Sequence, residues 1–232
     1  MGKSHIKRVA APKSWPVSRR TTKWIIRSNP GPHSLESSMP IGIFIKEILC
    51  YVKNTKETKF VLTNKQVMVN GIVRKDQKFP AGIMDVLTIG KDNYRIMINK
   101  KGQIVPIKIE EKEVKIYPKQ VINRRTLKGN KIQVNFEDGT NLLSKEGYNK
   151  GDTVVFVDGK IKEHLKLEKG AVVYIIGGKK VGYYGIVKEI VNNKGLQEPK
   201  VIFTKDKEDF ETLQKYVFVI GKDKPIIKLS NE

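Results

Sequence analysis

Residues Met39–Arg74 read MPIGIFIKEILCYVKNTKETKFVLTNKQVMVNGIVR. Ile41, Phe44, Ile45, Ile48, Leu49 and Val52 recur at the i, i+3, i+4, i+7 spacing of an amphipathic helix. Pro40 suits the first turn, where its missing N–H costs nothing. At about 100° per residue, Lys46 and Lys53 fall along one flank of that helix. Asn54 then reads as the cap of a second helix, with Glu57 three residues later completing a capping box. On the second helix Lys56, Lys59 and Thr63 share a stripe, and Val61 and Leu62 point away from it. Val67–Val69, Asn70-Gly71 and Ile72-Val73 follow. Asn-Gly between two apolar runs predicts a two-residue hairpin, because a type I′ turn needs positive φ at both central positions.

Two short helices followed by Val69-Asn70-Gly71 resemble the S4-type RNA-binding domain, over about residues 38–90. The resemblance implies an RNA-docking module, and the lysine stripe of Lys46, Lys53, Lys56 and Lys59, read from the helical period, is its candidate phosphate-facing flank. A solvated face of a small helical core explains the same lysines equally well.

The chain has 232 residues, room for one large domain or a few small ones. With 39% hydrophobic and 30% charged residues it is a foldable globular composition. Net charge is +21, and each of the regions 1–37, 38–90, 91–167 and 168–232 carries more Lys and Arg than Asp and Glu. A surface this self-repelling suits a polyanion, and nucleic acid fits best, since lysines on separate modules each release counterions from phosphate. An anionic membrane would call for an amphipathic anchor or a lipidation site. The sequence shows neither, nor any apolar run of membrane-spanning length. The single cysteine, Cys50, allows no disulfide within the chain and suits a reducing cytoplasm.

Residues 1–37 contain Lys3, Lys7, Arg8, Lys13, Arg19, Arg20, Lys23 and Arg27, with Trp15 and Trp24 interleaved. Aromatics among cations can stack on unpaired bases while their neighbours hold phosphates. Packing of both indoles onto the next module is the competing reading, and the heavier one. Pro12, Pro16, Pro30 and Pro32 predict an extended arm that orders on binding. His33 reads as structural.

After the hairpin, Met84–Ile89 reads as a strand. Tyr94–Asn99 and Ile104–Ile109 flank the turn Lys100-Lys101-Gly102. Lys131, Gln133 and Asn135 alternate with Ile132, Val134 and Phe136, as in a half-buried strand. Arg124 and Arg125, placed between strand-like Val121-Ile122 and the turn at Lys128-Gly129, are the central candidates for phosphate contact. Glu110, Glu111 and Glu113 read as a solvated acidic loop. Gly170, Gly177-Gly178, Gly182 and Gly185, between two strand-like runs, resemble a KOW motif, with Lys179 and Lys180 at the loop and Tyr183 and Tyr184 behind it. A phosphate-cradling nucleotide loop would need GxxxxGK[ST], which is absent here. Tyr216–Ile220 reads as a closing strand, and Asp206–Glu211 as an acidic link before it.

Catalysis requires convergent groups, and the three histidines lie far apart in unrelated contexts. No cofactor, metal or small-molecule substrate is expected. The order of basic arm, S4-type module, β-rich middle and KOW-like module resembles the archaeal and eukaryotic small-subunit ribosomal proteins of the S-four-e family. Gly31-Pro32-His33, Ser38–Gly42, Phe79–Val86 and Phe218–Gly221 look like that family's recurrent blocks. The resemblance implies an α+β multi-module chain: arm 1–37, S4-type domain 38–90, β-rich domain 91–167, and a KOW-containing SH3-like barrel domain 168–232. It further implies a non-catalytic constituent of the small ribosomal subunit, partnered by ribosomal RNA and neighbouring ribosomal proteins, in the cytoplasm. A KOW/S4-type regulator of transcription or translation, and an RNA-modifying enzyme, remain the alternatives.

Overall fold

A computed structural model describes residues 5–129, 131–144, 147–191, 198–205 and 208–229. The described chain is mostly β, with few and short helices. It divides into two compact units, Met1–Ile98 with Gly102–Lys115 and Asn99–Lys101 with Ile116–Glu232. Among the described residues no helix is long and apolar enough to cross a membrane.

In the first unit β1 (Ile6–Lys7) pairs antiparallel with β2 (Trp24–Ile25). The segment between them is not an arm awaiting a ligand. Ala11, Trp15 and Ile25 are buried in the unit's main core, and the Trp15 indole, 1% exposed, donates 2.7 Å to the Ser38 carbonyl. The prolines set the path of the segment, but the apolar side chains between them have a core to fill, and their burial offsets the cost of ordering the backbone.

β3 (Ser38–Pro40) pairs with β6 (Pro80–Gly82). Pro40 therefore ends a strand just ahead of the helix, rather than occupying its first turn. Helix α1 (Ile41–Ile43) passes directly into a π-helical turn (Phe44–Ile48) in which the Leu49 N–H reaches back five residues to the Phe44 carbonyl. The helix stops short of Val52 because Cys50 takes a positive φ of 53°. Ile41, Ile43, Phe44 and Ile45 are fully buried. The helix is thus enclosed on more sides than an amphipathic period implies, and Ile48, Leu49 and Val52 pack at the margin of the same core.

Helix α2 (Thr55–Thr63) starts at Asn54, whose N–H donates to the Glu57 carboxylate, so the expected capping box is present. The Lys53 N–H donates to the same carboxylate at 2.8 Å. These two backbone bonds hold Glu57 below the usual carboxylate range. Leu62 is buried, while Lys56, Lys59 and Thr63 are exposed as the periodicity requires. β4 (Val67–Val69) and β5 (Ile72–Val73) form the hairpin, with φ of 50° at Asn70 and 76° at Gly71. β7 (Val86–Ile89), β8 (Asp92–Ile98) and β9 (Ile104–Lys108) complete a sheet of order β5-β4-β7-β8-β9. The glutamates after it form a short helix, α3 (Glu111–Val114), instead of a loop.

The blocks Gly31-Pro32-His33 and Phe79–Val86 occur together because they pack on each other. A side chain at Gly82 would collide with the His33 ring, and one at Gly31 with Pro80. His33 Nε2 lies 3.0 Å from a buried Asp85 carboxylate. That carboxylate also accepts from the Gly82 N–H and from the Asn70 side chain. Asn70 Oδ1 in turn accepts from the Val86 N–H, so the hairpin's turn residue is tied to the next strand.

In the second unit, β10 (Ile116–Leu127), β11 (Lys131–Phe136), β12 (Asn141–Ser144), β13 (Thr153–Val157) and β14 (Lys160–Leu165) form a sheet of order β12-β11-β10-β13-β14. β15 (Val172–Ile175), β16 (Tyr184–Val191), β17 (Lys200–Lys205), β18 (Glu208–Leu213) and β19 (Val217–Gly221) form another, of order β18-β17-β16-β15-β19. The supposed acidic link is β18, a hairpin partner of β17 in which Glu208, Asp209 and Glu211 share the strand with Phe210, Thr212 and Leu213; the first residue expected there, Asp206, lies outside the described residues. Val155 and Leu165 of the first sheet share a core with Val173, Ile175, Phe203 and Val219 of the second. At the middle of the unit Asp152 accepts from His164 Nε2 at 2.8 Å and from the backbone N–H groups of Asn149 and Leu167.

Candidate nucleic-acid interface

The basic residues divide into those the fold uses and those it leaves at the surface. Arg8 belongs to the first group. It is 6% exposed and makes a two-pronged pair with Glu47, NH1 to Oε2 at 2.8 Å and NH2 to Oε1 at 2.7 Å. It also donates to Thr22 Oγ1 and to the Ser18 carbonyl. The Glu47 bond raises its already high pKa, so the group stays charged inside the unit. Arg8 is therefore a strut between the N-terminal segment and the π-helical turn, not a phosphate contact. Arg19 donates to the carbonyls of Val9, Ala11 and Pro12 and closes the loop that carries Trp15. Arg95, a residue that sequence reasoning passed over, is fully buried in β8 and donates to the Met84 and Glu113 carbonyls.

The surface group in the first unit begins with Lys7, Lys13, Arg20 and Lys23, all exposed; Lys3 lies outside the described residues. The Lys23 ammonium sits 5.5 Å from the centre of the half-exposed Trp24 indole, and His5 meets that ring edge-on. The two tryptophans thus differ in role: Trp15 is a core anchor and Trp24 is available for stacking. Arg27 is partly buried beside Asn29, Pro30 and His33. Lys46 and Lys53 do not share a helix flank, because the helix ends between them. They come together by another route, both lining a cleft of about 620 Å³ with Ser18, Thr21, Thr22 and Cys50. Lys56 and Lys59 stand exposed on α2. Nearby, Tyr51 donates to Asp92, and burial followed by the bonds to Asp92 and Tyr94 pushes its phenol well above the usual range.

In the second unit Arg124 and Arg125 lie inside β10, not between a strand and a turn, and both are exposed. Neighbours in a strand point to opposite faces. Arg124 therefore turns toward Asn149, donating at 3.2 Å, while Arg125 faces the other way. They do not form one guanidinium cluster. At the glycine-rich loop Lys179 is exposed, and Lys180 lies 4.1 Å from the centre of the Phe210 ring. Lys205 sits over Tyr183 and Tyr184 at 4.8 and 4.7 Å. This alternation of cations and rings, built from β16, β17 and β18, was only half visible in sequence, since Lys205 and Phe210 come from strands paired later in the chain. Two of the glycines have packing roles: a side chain at Gly177 would strike the Tyr216 ring, and one at Gly185 the Thr204 carbonyl.

Among the described residues no group of His, Cys, Asp and Glu is placed to hold a metal ion. Exposed cations beside half-exposed aromatic rings are groups able to contact a polyanion bearing bases.

The family described as "Ribosomal family S4e" matches residues 90–158, and the RS4NT (NUC023) domain matches residues 1–36. The small ribosomal subunit protein eS4 of Methanosphaera stadtmanae is 37% identical over 231 residues, covering 98% of this chain and 96% of the relative. The protein of the same name from Archaeoglobus fulgidus is 34% identical over 232 residues, covering 97% of each. The crystal structure of the 30S ribosomal protein S4e from Thermoplasma acidophilum superposes with a TM-score of 0.70 at 27% identity, covering 80% of this chain and 95% of that one. With such identity sustained over nearly its whole length, the chain belongs to the S4e family of ribosomal proteins.

Proposed function

We infer that the protein is a structural constituent of the small ribosomal subunit that binds ribosomal RNA and turns over no substrate. The observation that carries this is the end-to-end similarity to archaeal proteins of that name. A net charge of +21 spread over both units supports it, because contact at several separated sites is what a protein embedded in folded RNA needs. Its partners are the small-subunit RNA and adjoining ribosomal proteins, and its place is the cytoplasmic ribosome.

Within that role, residues 38–90 act as an S4-type docking module. The capped helix α2 and the Asn70-Gly71 hairpin support the reading, with Lys46 and Lys53 in their cleft and Lys56 and Lys59 beside it meeting phosphate. Residues 168–232 act as a KOW-type module. There Lys179 and Lys180, with Lys205 and the Tyr183 and Tyr184 rings, hold backbone and stack on bases. Lys7, Lys13, Arg20, Lys23 and Arg27 extend the contact along the N-terminal segment, and Arg124 and Arg125 along β10.

Gradient sedimentation of a cell extract tests the assignment. The protein is expected to travel with the small subunit at moderate salt and to leave only under conditions that strip ribosomal proteins. A protein found at the top of the gradient at moderate salt would contradict it.

A further inference from the structure

One surface of the second unit has a chemistry that phosphate binding does not explain. β10, β11 and β12 form a three-stranded antiparallel ribbon whose inner face carries Val121, Val134 and Phe136, all buried. The strand register then assigns the outer face. Asn123 pairs with Asn135, and Asn135 with Asn141, so three asparagines cross the ribbon in one row. The next row is Arg125, Gln133 and Leu143, and the last is Leu127 and Lys131. Among the described strand residues the face presents four amides, one guanidinium and one ammonium, and no carboxylate. Its two leucines lie at the margin, one on the edge strand and one at a strand end.

The face depends on a β-bulge. The register between β10 and β11 shifts between Val121 and Asn123, and Ile122 is the extra residue, left 47% exposed. Were Ile122 an ordinary ladder residue instead of a bulge, the alternation begun by buried Val121 would send Asn123 and Arg125 inward. A bulge that re-aims side chains in this way is a built feature of a strand, not a defect. The amides are also oriented. Gln133 Nε2 donates to Asn135 Oδ1 at 2.9 Å, and Asn123 Oδ1 accepts from the Arg124 N–H, so in both asparagines the oxygen is the engaged end.

Resting on the assignment as an RNA-binding protein, we propose that this face reads the base edges of unpaired nucleotides in small-subunit RNA. An amide carries two donor hydrogens and an oxygen with two lone pairs, so beyond the bonds already made these side chains keep donors and acceptors for adenine and other base edges. Paired A-form RNA hides its major-groove edges in a deep, narrow groove, so an exposed ribbon face of this kind would meet splayed bases of a loop or bulge. Arg125 and Lys131 then hold the flanking phosphates. A neighbouring protein is a poorer match, since an interface core is built from large apolar and aromatic anchors, and here the apolar residues are confined to the margin.

The test uses the full chain and transcribed small-subunit RNA of a methanogen, with affinity measured across a salt series and base reactivity probed at Watson–Crick edges. The variant carries Asn123→Ala, Gln133→Ala and Asn135→Ala. A second variant, Asn135→Asp, keeps the side-chain size and the bond donated by Gln133 Nε2. Both are expected to weaken binding about 10- to 100-fold. In the alanine variant the salt slope stays unchanged, because no cation has been removed, and protection disappears at a small set of unpaired bases. Unaltered affinity and protection in both variants would overturn the proposal while leaving the RNA-binding assignment intact. So would normal binding to naked RNA combined with failure to join a subunit containing the other proteins, since that would make the face a protein contact. A wild-type chain that does not bind the RNA at all would instead remove the assignment on which the proposal rests.

Discussion

The N-terminal segment and the β10–β12 ribbon both place arginines where a sequence reader expects phosphate contacts, yet the fold treats them in opposite ways. Arg8 is enclosed and paired with Glu47, and Arg19 is spread over three backbone carbonyls. Arg125, on β10 beyond its bulge, is exposed, with the Asn123 and Gln133 amides beside it. The difference follows from geometry. An irregular segment without a ladder leaves carbonyls and carboxylates that need donors, and a guanidinium supplies several at once. A strand inside a sheet has its backbone satisfied already, so its outward side chains remain available for a ligand. Positive charge alone therefore does not separate strut from contact; the state of the local backbone does.

The largest effects should appear where that distinction is broken inside the first unit. Trp15→Ala should lower stability by about 3–5 kcal/mol, since it empties a core site and strands the Ser38 carbonyl; chemical denaturation measures this. Arg8→Ala should cost about 3 kcal/mol by leaving Glu47 part-buried without its cation. Arg19→Ala should cost roughly 1–2 kcal/mol. Arg125→Ala, by contrast, should leave the denaturation midpoint within experimental error and weaken RNA binding. A drop in midpoint for Arg125→Ala as large as that for Arg8→Ala would erase the comparison.

Replacing Lys46, Lys53, Lys56 and Lys59 together with glutamine should leave the fold intact and reduce the slope of log affinity against log salt by about 3, if each releases its counterions on binding. An unchanged slope would mean that these lysines are only a solvated face. The smallest effect concerns acid. Lys108 and Tyr51 hold Asp92 below the usual carboxylate range, and Lys188 and Thr204 do the same for Asp209. At Asp138 burial pushes the carboxyl up, but Lys119 at 2.6 Å and two bonds from Thr140 outweigh it, so the net shift is downward. Carboxylates depressed in the folded state stabilise it fully above their unfolded values near ~4, and that contribution is lost as pH falls through the lower folded values. The thermal midpoint should thus be flat from neutral pH to about 5 and fall below about 4. Asp138→Asn should flatten part of that fall.

Much of the fold could be read from local signals. The capping box at Asn54 and Glu57, the Asn70-Gly71 turn and the alternation in Lys131–Phe136 each have a mechanism confined to a few residues, and each formed as read. Features set by distant partners could not be read. The π-helical turn after Ile43 depends on a core that encloses Phe44 and Ile45 from more than one side. Sequence favours packing over stacking for both tryptophans alike, and only the structure separates Trp15, bonded to the Ser38 carbonyl, from half-exposed Trp24. The outward aim of Asn123 depends on a one-residue register shift against β11, and periodicity in β10 alone points to Ile122 and Arg124 instead. Lys205 joins the tyrosines of the glycine-rich loop only through the pairing of β16 with β17. Of the candidate contacts, residue type and local charge were legible, and the division between strut and contact was not.

That division can be measured directly by modifying lysines and arginines with side-chain reagents, first in the free protein and then in assembled small subunits, and locating the modified residues by mass spectrometry. Arg8 and Arg19 should be unreactive in both states. Lys46, Lys53, Lys56, Lys59 and Arg125 should react in the free protein and become protected in the subunit. Reactive Arg8 and Arg19 in the free chain that become protected in the subunit, with the lysines modified equally in both states, would contradict the account.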